Sequence, residues 1–388
     1  MALRGTNQEF GRPYNRRIVL ESIRRFGPIA RGEIARHVGL TVQTVSTIVR
    51  ELEEQGYILS VREEPKGRGL PPATLRINPE GGYAVGIHLT PLGIDAALIN
   101  LSGDVIESAH REAPHAAPDE AFEAIGAMVA ELTGRRSGGR VIGIGMALPG
   151  PFGVEPMSFV GPTTMAGWQD VPLRERLTAV TGLPAFFEND MAAAAMGERF
   201  YGLGAKHSEY YYLYFGVGLG GTMLYDGSAL RGAWGNAGEI GHIPVVPGGE
   251  LCPCGNRGCL ERYVSLDARG RWNGNDADWV SEITPVFRNA IAIIENLFDP
   301  ETIVLGGLAS PALLERLAAS VEPLHNSVSA RKDRVAPRIV VAQGGQHAVL
   351  RGAAALAVSG VLSPRFGQIF TAKRQREGDP LKGGDIAA

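Results

Sequence analysis

The period of the apolar residues changes near residue 80, and that change constrains the fold more than any other feature. Before it, apolar residues recur at helical spacing. "NRRIVLESIRRFG" carries Ile18, Val19, Ile23 and Phe26 at that spacing and stops at Gly27-Pro28. "ARGEIARHVGL" predicts a second, short helix with Ile34, Ala35 and Val38 facing inward and Gly39 at its end. "TVQTVSTIVRELEEQGYI" predicts a third, with Thr41 as N-cap, Val45, Ile48, Val49 and Leu52 as the buried stripe, and Gly56 as terminator. Beyond residue 82 short buried strands alternate with helices. "YAVGIHLTPLGIDAALINLSGDVI" reads as two strands joined by a turn, with a further turn at Ser102-Gly103. "RVIGIGMALPGPF" is a strand entering a Gly-Pro turn, and "LPAFFENDMAAAAMGERFYG" is a strand feeding an alanine-rich helix. "EYYYLYFGVGLGGTMLYDG" reads as a hairpin with a glycine-rich bend, and "ETIVLGGLAS" as a further buried strand. Such alternation implies an α/β fold.

The first 80 residues make a different unit. Two short helices joined by a glycine-bearing turn form a helix-turn-helix. The β-like runs at 57–62 and 73–77 flank a Lys/Gly/Arg loop, the pattern of a wing. The whole chain carries a net charge of only −3, but residues 1–50 hold nine Arg against three Glu. That excess suggests a polyanion partner for this end alone, with a solvated basic arm as the alternative. A recognition helix enters the major groove by its N-terminal end, and its non-core face here offers Gln43, Thr44, Thr47 and Arg50. Gln pairs with adenine, and Arg with guanine or phosphate. Lys66 and Arg68, on a loop with Gly67 and Gly69, suit a minor groove or its phosphates. Charge, turn and wing together favour DNA over a three-helix protein-interaction module.

A hydrophobic content of 44% and a charged content of 20% over 388 residues suit a soluble globular chain of two or three domains. Its 52 glycines, many clustered, predict tight turns. No apolar run is long enough to cross a bilayer, and the first residues lack the apolar stretch of a signal peptide, so a cytoplasmic location is expected. Three cysteines cannot pair completely.

"FENDMAAAAMGE", "GVGLGGT", "RGAWGNAGEIGH" and "CPCGNRGCLE" occur in an order and spacing that resemble the ROK family of repressors, open reading frames and sugar kinases. The resemblance covers the chain from about residue 80 onward. It implies an α/β architecture: an N-terminal winged helix-turn-helix followed by a two-lobed actin-like ATPase (ribonuclease H-like) fold. The expected boundaries are 1–78 for the DNA-binding head and linker, 79–195 for the first lobe and 196–388 for the second, with the C-terminal helix packing back on the first. The added head matches the repressor branch, which includes xylose-, N-acetylglucosamine- and glucose-type regulators.

All three cysteines fall within eight residues, as Cys-x-Cys-x4-Cys, and His242 stands ten positions before the first. Three thiolates and an imidazole suit a tetrahedral structural zinc at His242, Cys252, Cys254 and Cys259, with unliganded buried cysteines as the alternative. The resemblance assigns sugar contacts to Asn189 and Asp190 in "END", Glu239 and His242 in "GEIGH", and Glu261 in "CLE". Carboxylates accept from vicinal hydroxyls, and Asn both accepts and donates. His242 would hold zinc by one ring nitrogen and offer the other to the sugar.

One departure from the family bears on activity. Its kinases open their first strand with an Asp-x-Gly-Gly-Thr turn that cradles phosphates. Here the stretch is "GIHLTPLG", with His88 in place of the Asp and Leu89, Thr90 and Pro91 in place of the flexible turn. Imidazole is a poor magnesium partner, and Leu and Pro obstruct backbone approach. The second phosphate turn, with Gly218, Gly220, Gly221 and Thr222, survives, as does "LGG" at 305–307. Half a phosphate site does not position a phosphoryl group. The expectation is a sugar-responsive repressor without kinase activity, dimeric or a dimer of dimers on operator DNA. A working kinase with a DNA-binding head, or a regulator answering to a transport-protein partner, are the alternatives. Pro162-Thr163, where many relatives carry Pro-Asn, leaves the sugar's identity open, and the polar tail "RQREGDPLKGGDIAA" shows no function.

Overall fold

The computed structural model describes residues 11–62, 73–134, 139–150, 165, 167–168, 171–225, 227–233 and 235–362. Lys66, Arg68, Pro162, Thr163 and the polar tail lie outside the described residues.

The head contains α1 (Gly11–Phe26), β1 (Ile29–Ala30), α2 (Arg31–Val38), α3 (Val42–Glu54), β2 (Ile58–Val61) and β3 (Thr74–Ile77). Ile18, Val19 and Ile23 of α1 pack against Ile34, Val38, Val45, Val49 and Leu52 in one core. Phe26 does not join them. It lies at the helix end, 45% exposed, with its ring 4.8 Å from the His37 imidazole. Gly39 ends α2 at φ 66°, and the Thr41 hydroxyl caps α3 by accepting from the Thr44 amide at 3.1 Å. The strands form an antiparallel sheet in the order β1-β3-β2. The sequence shows no sign of β1, because two residues carry no period.

Among the described residues of the body, the strands form two five-stranded sheets. The first is built from β4 (Tyr83–Thr90), β5 (Gly93–Asn100), β6 (Val105–Glu112), α4 (Pro118–Gly134), β7 (Val141–Leu148), α5 (Leu173–Thr181) and β8 (Ala185–Asn189). The second follows α6 (Asp190–Tyr201) with β9 (Tyr210–Phe215), β10 (Leu219–Tyr225), β11 (Ser228–Ala229), α7 (Leu266–Arg271), α8 (Asp276–Phe298), β12 (Thr302–Gly307), α9 (Pro311–Ser320), β13 (Ile339–Val341) and α10 (Ala348–Leu362). Strand orders are β6-β5-β4-β7-β8 and β11-β10-β9-β12-β13. Each sheet therefore has the same arrangement: three antiparallel strands, then two parallel ones added beside the first.

Helices on both faces explain the wholly buried central strands. On β4, Val85, Ile87 and Leu89 face α4, where Phe122, Ile125 and Val129 meet them. The alternate residues face α10, which packs on β4, β7 and α6. Gly145 of β7 permits this contact, since a Cβ there would stand 1.8 Å from the Ala353 carbonyl oxygen. On β9, Tyr211, Leu213 and Phe215 face α8, while Tyr210, Tyr212 and Tyr214 face α6.

The head does not hang on a loose tether. Its core runs without a break into Ala84, Ile99, Leu101, Leu350, Ala354 and Leu362 of the body. Between β3 and β4 the Asn78 amide donates to the Gly56 carbonyl at 2.7 Å. Glu21 of α1 pairs with Arg24 at 2.5 Å and with Arg199, near the end of α6, at 3.0 Å. No described helix is long and apolar enough to cross a membrane.

Candidate functional site

A cleft opens between the ends of β4, β7 and α6 in the first sheet's layer and the β9–β10 turn of the second. Thr90, Pro149, Asp190, Tyr214, Gly218 and Leu308 line it, together with Glu239, His242 and Glu261. Asp190 owes its place to a strand-to-helix switch. Asn189 ends β8 in extended conformation, and its side-chain oxygen accepts from the Ala192 amide at 2.7 Å, capping α6. The next residue, Asp190, then projects into the cleft from the first helical position. Asn189 itself is buried and acts through its cap, and it is not among the residues lining the cleft.

Glu239 and His242 sit on a short 3-10 turn, and Glu261 on another. Backbone bonds stitch the two turns together. Leu260 donates to Ile243 at 3.0 Å, and Val245 to Gly258 at 2.8 Å. A tight loop closed by Cys252 N to Asn256 O at 2.8 Å brings the cysteines inward. The side-chain ligand atoms of His242, Cys252, Cys254 and Cys259 all lie within 4.8 Å of one another, so this cluster could hold a metal ion. The Cys252 sulfur is 3.6 Å from His242 Nδ1, and the Cys254 and Cys259 sulfurs are 3.7 Å apart. His242 turns its other nitrogen, Nε2, toward the Glu239 carboxylate at 4.0 Å. One imidazole therefore spans the sulfur cluster and the cleft.

The electrostatics of the cleft follow from burial. Asp190 is pushed up to about 7 by loss of water, opposed by the Met191 amide it accepts at 2.8 Å. Glu239 rises to about 7 through burial and then through the charges of Asp190 and Glu261. Two of the three cleft acids therefore titrate near physiological pH, each partly protonated there, so they can donate as well as accept.

The β4–β5 connection closes the other side. Thr90 pairs with Gly93 across a two-residue turn, and the Thr90 hydroxyl accepts from the Leu92 and Gly93 amides at 3.2 Å each. His88, two residues back, is 2% exposed, and burial lowers its pKa to about 4, so it is neutral. Tyr214 lines the cleft yet was not singled out from sequence, because it sits in an aromatic strand whose other members are core.

In the head, Gln43, Thr47 and Arg50 are exposed on α3, and Thr44 is half-buried. The Thr44 hydroxyl bonds Thr41 at 2.9 Å, and Thr47 donates to the Gln43 carbonyl at 3.1 Å. Val42, 53% exposed at the first position of α3, joins this face. Its sequence signal was the position directly after the cap, where an apolar residue outside the stripe points outward.

Two sheets of one strand order around an acid-lined cleft, preceded by a winged helix-turn-helix, define the class: a DNA-binding type of head on a sugar-kinase-like α/β body. The chain matches the ROK family over residues 84–359 and, in its head, the MarR family over residues 10–69. It belongs to the ROK family. A xylose repressor of Caldicellulosiruptor bescii is 29% identical, over 90% of this chain and 96% of the relative. A crystal structure of a ROK family transcriptional regulator, described as a homolog of the E. coli MLC protein, shares the fold over 94% of this chain and all of its own, with TM-score 0.71 and 23% identity. A ROK family glucokinase from Streptomyces griseus, solved with glucose and AMPPNP, superposes on 72% of this chain and all of its own, with TM-score 0.59 and 27% identity.

Proposed function

We propose that this chain is a sugar-responsive DNA-binding repressor that acts in the cytoplasm, as a homodimer or a dimer of dimers, on operator DNA. The observation that carries the reading is the physical continuity of head and cleft. The helix that begins at Asp190 in the cleft nears its end at Arg199, against Glu21 of the head. Twelve residues of α-helix make a rod of about 18 Å. A sugar that binds Asp190 more tightly in one head arrangement shifts the population toward it.

In this reading residues 1–78 are the head with its linker, 79–195 the first lobe and 196–388 the second. Gln43, Thr44, Thr47 and Arg50 contact DNA, with Lys66 and Arg68 of the wing loop. Asp190, Glu239, His242 and Glu261 bind the sugar, and Asn189 contributes by holding the start of α6. The metal is zinc. Two thiolates each about 2.3 Å from a tetrahedral zinc stand about 3.8 Å apart, close to the 3.7 Å between Cys254 and Cys259. With four protein ligands the ion is structural, and His242 carries its grip to the sugar side.

We also propose that kinase activity has lapsed. His88 is buried and neutral where the family's kinases carry a carboxylate, and a closed two-residue hairpin replaces their phosphate turn. The relative named a xylose repressor supports the regulatory reading. Gel-shift titration of the protein on DNA from its own upstream region, over a panel including xylose and glucose, tests it. The expected outcome is that one sugar of the panel releases DNA, and no effect from any of them contradicts the reading.

A further inference from the structure

Within the DNA-binding reading just given, the side chains at the tip of α3 narrow what the head can read. The stretch Val42–Val49 carries no charged side chain. Arg or Lys is the commonest reader of guanine, and Glu or Asp accepts from cytosine, so the tip lacks the charged readers of a G·C pair. Arg50 stands about 12 Å behind Val42 along the axis, at about 1.5 Å per residue, a position that suits a phosphate.

The hydroxyls of the tip are largely committed to the helix itself. Thr44 is half-buried, and its hydroxyl bonds the Thr41 hydroxyl at 2.9 Å. Thr47 donates its proton to the Gln43 carbonyl at 3.1 Å, one turn back. The exposed residues of the stretch are Val42, Gln43 and Thr47, and of these only Gln43 keeps an uncommitted donor. Val42 is 53% exposed at the first helical position. What Val42 and Thr47 turn outward is therefore mainly carbon. In the major groove the apolar feature that distinguishes one base from another is the 5-methyl group of thymine.

We propose that α3 identifies thymine by its 5-methyl group, through Val42 and the methyl group of Thr47. Both are then specificity-determining residues that act by apolar contact, while the Thr47 hydroxyl serves the helix backbone. Covering one methyl-sized group in this way corresponds to about fourfold in affinity.

Selection of a site from random duplexes by the full chain, followed by gel-shift titration, tests this. The selected site is made with thymine and again with uracil throughout, which keeps every hydrogen-bonding edge and removes the methyl groups. The parent should bind the uracil duplex more weakly by about fifteenfold for each head, two contacts being lost. Thr47→Val, which keeps the methyl group and removes the hydroxyl, should bind the thymine duplex within about twofold of the parent. Thr47→Ser, which does the reverse, and Val42→Ala should each bind it about fourfold more weakly for each head, with unchanged urea midpoints because both positions are exposed. Val42→Ala combined with Thr47→Ser should bind the two duplexes alike within about twofold.

Equal binding of both duplexes by the parent overturns this inference and leaves the DNA-binding reading standing. Thr47→Ser binding like the parent while Thr47→Val fails assigns the readout to the hydroxyl and overturns the role of the methyl group. A full uracil penalty in the double variant means that the methyl groups act through duplex shape, and it overturns the role of both residues. Enrichment of no sequence overturns the DNA-binding reading and this inference with it.

Discussion

Replacing Asp190 by Asn should stabilise the ligand-free protein while abolishing its response to sugar. The folded chain holds this carboxyl at about 7, against 3.8 for the unperturbed group. A raised carboxylate pKa means that the folded state binds a proton that the unfolded state has lost. Stability therefore falls as pH rises from about 4 through 7, and the penalty is complete above 7. A shift of about three units corresponds to about 4 kcal/mol at most. Asp190 is only half-buried and opens on the cleft, so solvent screening reduces this to about 2 kcal/mol. Asn keeps the oxygen that accepts from the Met191 amide at 2.8 Å and carries no charge. Urea unfolding at pH 5 and pH 8 measures the effect. Asp190→Asn should exceed the parent by about 2 kcal/mol at pH 8 and by clearly less at pH 5, and sugar should no longer release operator DNA. A variant no more stable than the parent at pH 8, or stabilised equally at both pH values, refutes the burial argument.

Glu21→Gln leaves two guanidinium groups against each other at the head–body junction, where Arg24 and Arg199 are 15% and 13% exposed. It should lower stability in urea by about 3 kcal/mol and change the sugar concentration that releases DNA, read by gel shift. If the His242, Cys252, Cys254 and Cys259 cluster holds zinc as proposed, a chelator should reduce sugar affinity by about tenfold in calorimetry, with recovery on adding zinc, because the ion would no longer fix the His242 ring. His88 carries a depressed pKa, about 4 against 6.5. The unfolded chain binds its proton first on acidification, so this group contributes stability that is lost as pH falls from about 6.5 to 4, about 3 kcal/mol in all. His88→Gln should flatten that part of a urea-unfolding pH series.

Much of this arrangement was legible before the structure. Each helix of the head follows its apolar stripe, and Thr41 caps α3 as its position suggests. Phe26 misled because spacing does not say where a helix leaves the core. The turn at Gly27-Pro28 comes directly after it, so its ring is left outside. The Cys and His spacing located the sulfur cluster, and family motifs located the cleft acids. The repeated strand order of the two sheets was hidden, because pairing between distant strands leaves no local period. Tyr214 was hidden for a related reason. In "YYYLYF" every residue is buried, so nothing in the pattern separates a cleft-facing phenol from its core neighbours. The Glu21–Arg199 pair joins residues far apart in the chain, and two charges in sequence do not announce that they meet.

The central claim is that occupancy of this cleft is a signal to the head and not a step in phosphoryl transfer. Incubating the protein with its operator, a sugar it binds and magnesium ATP, then following bound DNA and sugar phosphate in the same sample, tests it most directly. The account predicts that DNA is released at the same sugar concentration with or without ATP, and that no sugar phosphate forms. Sustained turnover to sugar phosphate, abolished in Asp190→Asn, would contradict it.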